Sequence, residues 1–129
     1  MVPRTELSRP PPVVAVVDDD LAVCNSLKFA LELEGFAVRT YASGAELLGA
    51  GDIAGCDCFV VDERMPGMNG LEVIAEMRGR HISAPAILII SQPNARVSAR
   101  AAQSHVPIVE KPLLGNTLVE KIREACGRG

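Results

Sequence analysis

The sequence predicts an α/β protein, one doubly wound domain in which a five-stranded parallel sheet is covered by five helices. Three observations carry that prediction. Five short aliphatic runs recur along the 129 residues, and helical patterns separate them. Aromatic residues make up only 3% and Trp is absent, so the core must rest on Val, Leu, Ile and Ala. Strands buried on both faces read as such aliphatic runs. Strands alternating with helices require crossover connections, which put helices on both faces of the sheet.

The elements follow in order. Residues 1–12 end in Pro10-Pro11-Pro12, which cannot join a sheet interior, and are expected to form a flexible leader to a domain spanning 13–127. Val13 to Val17 is the first strand, stopped by Asp18, Asp19 and Asp20. Asp20 is placed to cap a helix, because Asp accepts from the free N–H groups of a first turn. In that helix Val23, Leu27, Ala30 and Leu31 fall on one face, and Gly35 marks its end. Phe36 to Tyr41 is the second strand; Ser43 opens a short helix through Leu47 and Leu48, broken by Gly49, Gly51 and Gly55.

Cys58 to Val61 is the third strand, ending at Asp62. A loop with Pro66, Gly67 and Gly70 leads to a helix carrying Leu71, Ile74, Ala75 and Arg78. Ala86 to Ile90 is the fourth strand, ending at Ser91, and Asn94 to about Gln103 is a helix of weaker amphipathicity. Val106 to Val109 is the fifth strand, ending near Lys111, and Leu114, Leu118, Ile122 and Ala125 line the core face of a last helix.

Composition narrows the function. A net charge of -3 and a pI near 5.4 argue against a generic nucleic-acid surface. No apolar run approaches the roughly 18 residues that span a bilayer, and the N-terminus has no apolar h-region. A cytoplasmic location is the expectation. Cys56 and Cys58 form C-x-C rather than a zinc spacing. In a strand they would share one face and act as small buried apolar groups, while Cys24 and Cys126 have no partner nearby in sequence. His81 and His105 are expected on the surface or in loops.

Ligands of open α/β sheets bind beyond the carboxyl ends of the strands. Strand one ends in Asp18-Asp19, strand three in Asp62, strand four in Ser91 and strand five in Lys111. Clustered carboxylates repel one another, and a hard divalent cation relieves this, oxygen ligands with retained waters suiting Mg²⁺. A carboxylate nucleophile can attack phosphorus, while a lysine and a hydroxyl neutralise and hold its oxygens. Simpler readings stand beside this one: a capping run for Asp18 to Asp20, a loop lysine for Lys111, a helix cap for Ser91.

The chain resembles the receiver domain of two-component response regulators over nearly its full length after the leader. The resemblance rests on Val16-Val17-Asp18-Asp19-Asp20, on Val60 through Gly70, and on Glu110-Lys111-Pro112. It implies a flavodoxin-like fold with sheet order 2-1-3-4-5, and Asp62 as the phosphoacceptor, loaded from a histidine kinase or a histidine phosphotransfer protein. It further implies Mg²⁺ (or Mn²⁺) held by Asp18, Asp19, Asp62 and the backbone carbonyl of Arg64, and phosphoryl contacts from Ser91 and Lys111. A cis Lys111–Pro112 bond is part of it, against a background of about one X-Pro bond in twenty. Three features depart from the family pattern: Ile108 replaces an aromatic switch residue, Glu63 sits beside the acceptor, and the stretch from Ser91 to Lys111 is short, with Ser104-His105 where Ala-Gly is common.

Three functions are weighed. The leading one is a phosphorylation-operated binding module, monomeric or dimerising on phosphorylation, that signals to a separate protein target without touching nucleic acid or membrane itself, rather than an enzyme with turnover. A phosphatase with an Asp nucleophile would need a substrate cap, for which there is no insertion. A degenerate receiver acting as a phosphorylation-independent scaffold is the alternative that the missing aromatic keeps open.

Overall fold

A computed structural model describes residues 10–113 and 116–127. The five aliphatic runs form strands β1 (Val13–Val17), β2 (Ala37–Tyr41), β3 (Cys58–Asp62), β4 (Ala86–Ile90) and β5 (Ile108–Glu110). Between and after them lie helices α1 (Leu21–Leu33), α2 (Gly44–Gly49), α3 (Gly70–Gly79), α4 (Ala95–Gln103) and α5 (Thr117–Ala125). The sheet is parallel throughout, in the order β2-β1-β3-β4-β5. A short 3-10 turn at Ile53–Gly55 precedes β3, where the sequence showed only a glycine-broken helix end.

Strand residues alternate between two core layers, as a two-residue repeat demands. Ala15, Val17, Phe59, Val61, Leu88 and Ile90 pack with Leu47, Ile74, Met77 and Ala101 of α2, α3 and α4. Val14, Val16, Cys58, Val60, Ile87 and Ile89 pack with Cys24, Leu27 and Leu31 of α1 and with Leu118 and Ile122 of α5. Both faces are therefore covered, and no helix among the described residues is long and apolar enough to cross a membrane.

Three expectations about faces change. The buried stripe of α1 runs through Cys24, Leu27 and Leu31; Ala30 is exposed, because the sheet touches the helix along the stripe that includes Cys24. Cys56 and Cys58 lie in opposite layers rather than on one face. The two-residue repeat holds only inside a strand, and Cys56 closes the 3-10 turn before β3 begins. Helix α4 segregates its faces well but buries only Ala101, so low apolar content rather than weak amphipathicity makes it a thin cover. The place of Leu114 lies outside the described residues.

The strand boundaries shift for backbone reasons. Phe36 donates to the Leu31 carbonyl and Gly35 to the Glu32 carbonyl, so Phe36 completes the end of α1 and β2 starts at Ala37. Pro107 has no N–H to give, and its carbonyl accepts from Leu88 at 2.9 Å before β5 proper begins at Ile108. The Lys111–Pro112 peptide bond is cis.

The same helix ending recurs twice more, which explains both histidines. Ile82 donates to Met77 and His81 to Arg78 after α3; Val106 donates to Ala101 and His105 to Ala102 after α4. This motif needs a left-handed residue just past the helix, normally Gly. Gly35 fills it at φ 98°, but His81 and His105 are held at φ 64° and 57°. Both histidines are exposed, so no packing offsets the Cβ penalty. His105→Gly is expected to raise stability by about 0.5–1 kcal/mol, the left-handed penalty less the added chain entropy of Gly. Urea unfolding monitored by circular dichroism checks this, and a lower midpoint would contradict it.

Candidate functional site

The site gathers at the carboxyl edge of the sheet, where β1 and β3 lie side by side and the strand order turns. Asp18 follows β1 directly; its N–H donates to the Tyr41 carbonyl at 3.1 Å, and its carbonyl accepts from the Cys24 thiol at 3.2 Å. Its Oδ1 accepts from the Asp20 N–H at 2.9 Å. Asp20 turns away to cap α1, accepting from Ala22 and Val23. One aspartate is thus the cap, and Asp18 and Asp19 remain for other work.

Asp62 is the last residue of β3, and it and Asp18 are each only 4% exposed, while Asp19 faces solvent. One carboxylate oxygen from each of Asp18, Asp19 and Asp62 can be chosen so that all lie within 4.8 Å of one another. Lys111, just past β5, brings its ammonium to 3.3 Å from Asp62 Oδ1 and 3.5 Å from Asp18 Oδ2. The contact to Asp62 is an ion pair without hydrogen-bond alignment, so that buried Oδ1 has no directed donor.

The energetics follow from that geometry. Burial, reinforced by the charge of Asp18, pushes the Asp62 carboxyl up to about 6, although Lys111 pulls the other way. Burial draws the Lys111 ammonium down, but Asp62 and Asp18 outweigh it and leave Lys111 above its ordinary value. One lysine does not neutralise three carboxylates, and an oxygen-rich, under-donated cluster of this kind fits a hard divalent cation.

Ser91 follows β4 and is exposed; its hydroxyl makes no hydrogen bond to another described residue. It is not the cap of α4, because Asn94 takes that role by accepting from Val97 at 3.1 Å. Ser91 lines a cavity of about 260 Å³ with Glu63, Arg64, Asn94 and Val97. The structure therefore brings Asp18, Asp19, Asp62 and Lys111 into contact, and sets Ser91 and Arg64 on the adjoining cavity wall.

Two positions with structural work at the site were not legible in the sequence. Gly70 packs so closely under β3 that a Cβ there would lie 2.7 Å from the Asp62 carbonyl oxygen and 2.7 Å from Leu88 Cδ1. Glu63 accepts from Gly70 N–H through its carbonyl and from Leu71 N–H through Oε1, each at 3.0 Å. It thereby clamps the start of α3 to the strand end. Burial raises the Glu63 carboxyl, while the Leu71 hydrogen bond and the charge of Arg100 on α4 oppose the rise. A sequence signal existed for the helix start alone, since Asn69 and Glu72 form a reciprocal capping box.

Fold and site together define a doubly wound α/β domain with an acidic, lysine-bearing pocket at its switch point. Comparison with known families adds that the response regulator receiver domain matches residues 14–123. The chain belongs to that family, whose general function in two-component systems is to accept a phosphoryl group. It is 34% identical to the transcriptional regulatory protein FixJ of Azorhizobium caulinodans over 116 residues, covering 89% of this chain and 55% of that protein. The chain spans about half the length of the curated relatives it matches.

Among solved structures, FixJ-N superposes with a TM-score of 0.82 at 29% identity, covering 94% of this chain and 98% of that one. The response regulator TrrA of Thermotoga maritima, solved in complex with Mg²⁺ and BeF, gives 0.78 at 29% identity, covering 88% and 98%.

Proposed function

We propose that this domain takes a phosphoryl group onto Asp62 from the phosphohistidine of a histidine kinase or a histidine phosphotransfer protein. The observation that carries the reading is the buried Asp62 Oδ1, without a directed donor and flanked by Lys111 and two further carboxylates. In this reading residues 13–127 are the working unit and 1–12 a leader. Asp18, Asp19 and Asp62 hold Mg²⁺ (or Mn²⁺) together with the backbone carbonyl of Arg64. When bound, the cation offsets carboxylate repulsion and neutralises charge on the phosphoryl oxygens.

The remaining steps belong to the chain. A carboxylate oxygen of Asp62 attacks phosphorus in line as the P–N bond to histidine breaks, leaving an acyl phosphate. Lys111, already between Asp62 and Asp18, follows the new negative charge onto the phosphoryl oxygens. Ser91 turns its unengaged hydroxyl inward to donate to another of them. That rotation alters the cavity shared with Glu63, Asn94 and Val97, and so reaches α4, the helix least anchored in the core. A downstream protein reads the shift in populations. TrrA, solved with Mg²⁺ and a beryllium fluoride, supplies a parallel for metal and phosphoryl-like group together.

The deciding experiment is intact mass after incubation with acetyl phosphate and Mg²⁺. One phosphoryl adduct is expected on the parent, and none on Asp62→Asn or in EDTA. An adduct that survives in Asp62→Asn overturns the assignment. So does a folded parent that stays unmodified by both acetyl phosphate and phosphorylated kinases.

A further inference from the structure

Among the described residues, three large apolar side chains stand in solvent, and all three belong to α1. They are Leu21, Phe29 and Leu33, exposed to 73%, 68% and 72%. With Asn25 they follow one another at four-residue steps, which makes them a single ridge along the helix. The adjoining row is small: Ala22, Ser26 and Ala30 wall an open groove of about 720 Å³, and Pro112 and Leu113 form its far side. The ridge bears no charge, and the charged residues of α1, Lys28 and Glu32, pair with each other at 2.6 Å. The stripe through Cys24, Leu27 and Leu31 already seats the helix on the sheet, so the fold makes no use of the ridge.

We propose that α1 is a self-association surface whose occupant is a second copy of this chain. Each copy lays the ridge of Leu21, Phe29 and Leu33 in the groove of the other. Ridge and groove are neighbouring rows of one helix, so a twofold axis satisfies both copies at once, as an isologous contact requires. Rows at four-residue spacing that pack into grooves of the same spacing are the commonest helix crossing in globular proteins.

Charge and area point the same way. Two copies of net charge -3 repel each other, and they approach at least cost where neither surface is charged. The ridges and groove walls of two copies come to on the order of 1,000 Å², enough for a specific but transient contact. Apolar patches of this kind mark interaction sites on soluble proteins. Helix α1 belongs to the core layer opposite α4, so the association does not depend on a phosphoryl group at Asp62.

Sedimentation equilibrium of the unphosphorylated whole chain, from about 10 µM to about 1 mM, tests this. A reversible monomer–dimer equilibrium is expected, and added salt should not weaken it, because apolar contact rather than charge holds it. Phe29→Glu on the ridge and Ala30→Glu in the groove should each raise the dimer dissociation constant ~10-fold or more. Both positions are exposed, so both variants should keep the parent's circular dichroism spectrum and still take a phosphoryl group from acetyl phosphate. A parent that stays monomeric throughout overturns the proposal, even if a phosphohistidine donor proves to cover the same face. A dimer that either variant leaves intact lies elsewhere and overturns it too. So does growth beyond the dimer, which marks a head-to-tail contact.

Discussion

Asp62→Asn is expected to take no phosphoryl group and yet to be more stable than the parent at pH 7 in EDTA. The Asp62 carboxyl is raised from an ordinary 3.8 to about 6, chiefly by burial and then by Asp18. Folding therefore disfavours its charged form. At about 1.36 kcal/mol per pH unit, that penalty reaches about 3 kcal/mol once the folded group has ionised. The penalty is absent below pH 3.8, grows as the pH rises, and is complete above about 6. Asn removes the charge but leaves Lys111 only Asp18 for a partner, so the net gain is about 1–3 kcal/mol.

Paired urea titrations at pH 7 and pH 4 check this, because other groups cancel between parent and variant. The midpoints should separate at pH 7 and converge at pH 4. Adding Mg²⁺ should then stabilise the parent more than the variant, by linkage to binding. Equal midpoints at both pH values would mean that the buried carboxylate carries no strain.

Gly70→Ala is expected to damage both stability and chemistry. The new Cβ would meet the Asp62 carbonyl oxygen at 2.7 Å, Leu88 Cδ1 at 2.7 Å and Glu63 Cα at 3.0 Å. Two of these are backbone atoms of the β3 end, and Leu88 is fully buried, so nothing nearby gives way cheaply. The start of α3 must lift, loosening the 3.0 Å bonds that Gly70 and Leu71 make to Glu63. Overpacking of this kind costs about 1–3 kcal/mol. A shift of about 1 Å at the reacting carboxylate slows phosphoryl transfer on the order of 100-fold. Gly79→Ala, in the last position of α3 with nothing within 4 Å of its Cβ, is the control and should be near neutral. If Gly70→Ala keeps parental stability and phosphorylation rate, the close approach does not constrain the site.

How much of the site was legible depended on where its signals lay. Asp18, Asp19, Asp62 and Lys111 stand directly after aliphatic runs, and a parallel sheet gathers all its carboxyl ends on one edge. Knowing the strands was therefore enough to bring these four residues together. Asp20 as the cap of α1, and the exposure of His81 and His105, were readable for the same reason: each depends on neighbours within one turn.

Features set by distant contacts were not readable. Gly70 looked like any loop glycine until β3 and Leu88 were seen beneath it. Cys56 and Cys58 seemed to share a face, because a two-residue repeat cannot reveal where a strand begins. Cys58 lies mid-chain and Cys126 near its end, and only the closure of α5 over the sheet puts both in one core layer. The raised Asp62 carboxyl is of the same kind, since burial and facing charge belong to no single segment. By itself the sequence determined the strands, their helical connections and the edge on which the polar groups gather, because backbone hydrogen bonding and side-chain periodicity are local. Tertiary structure decided which faces are buried, how closely backbones approach and what each ionisable group feels, because packing and electrostatics act through space between segments far apart in the chain.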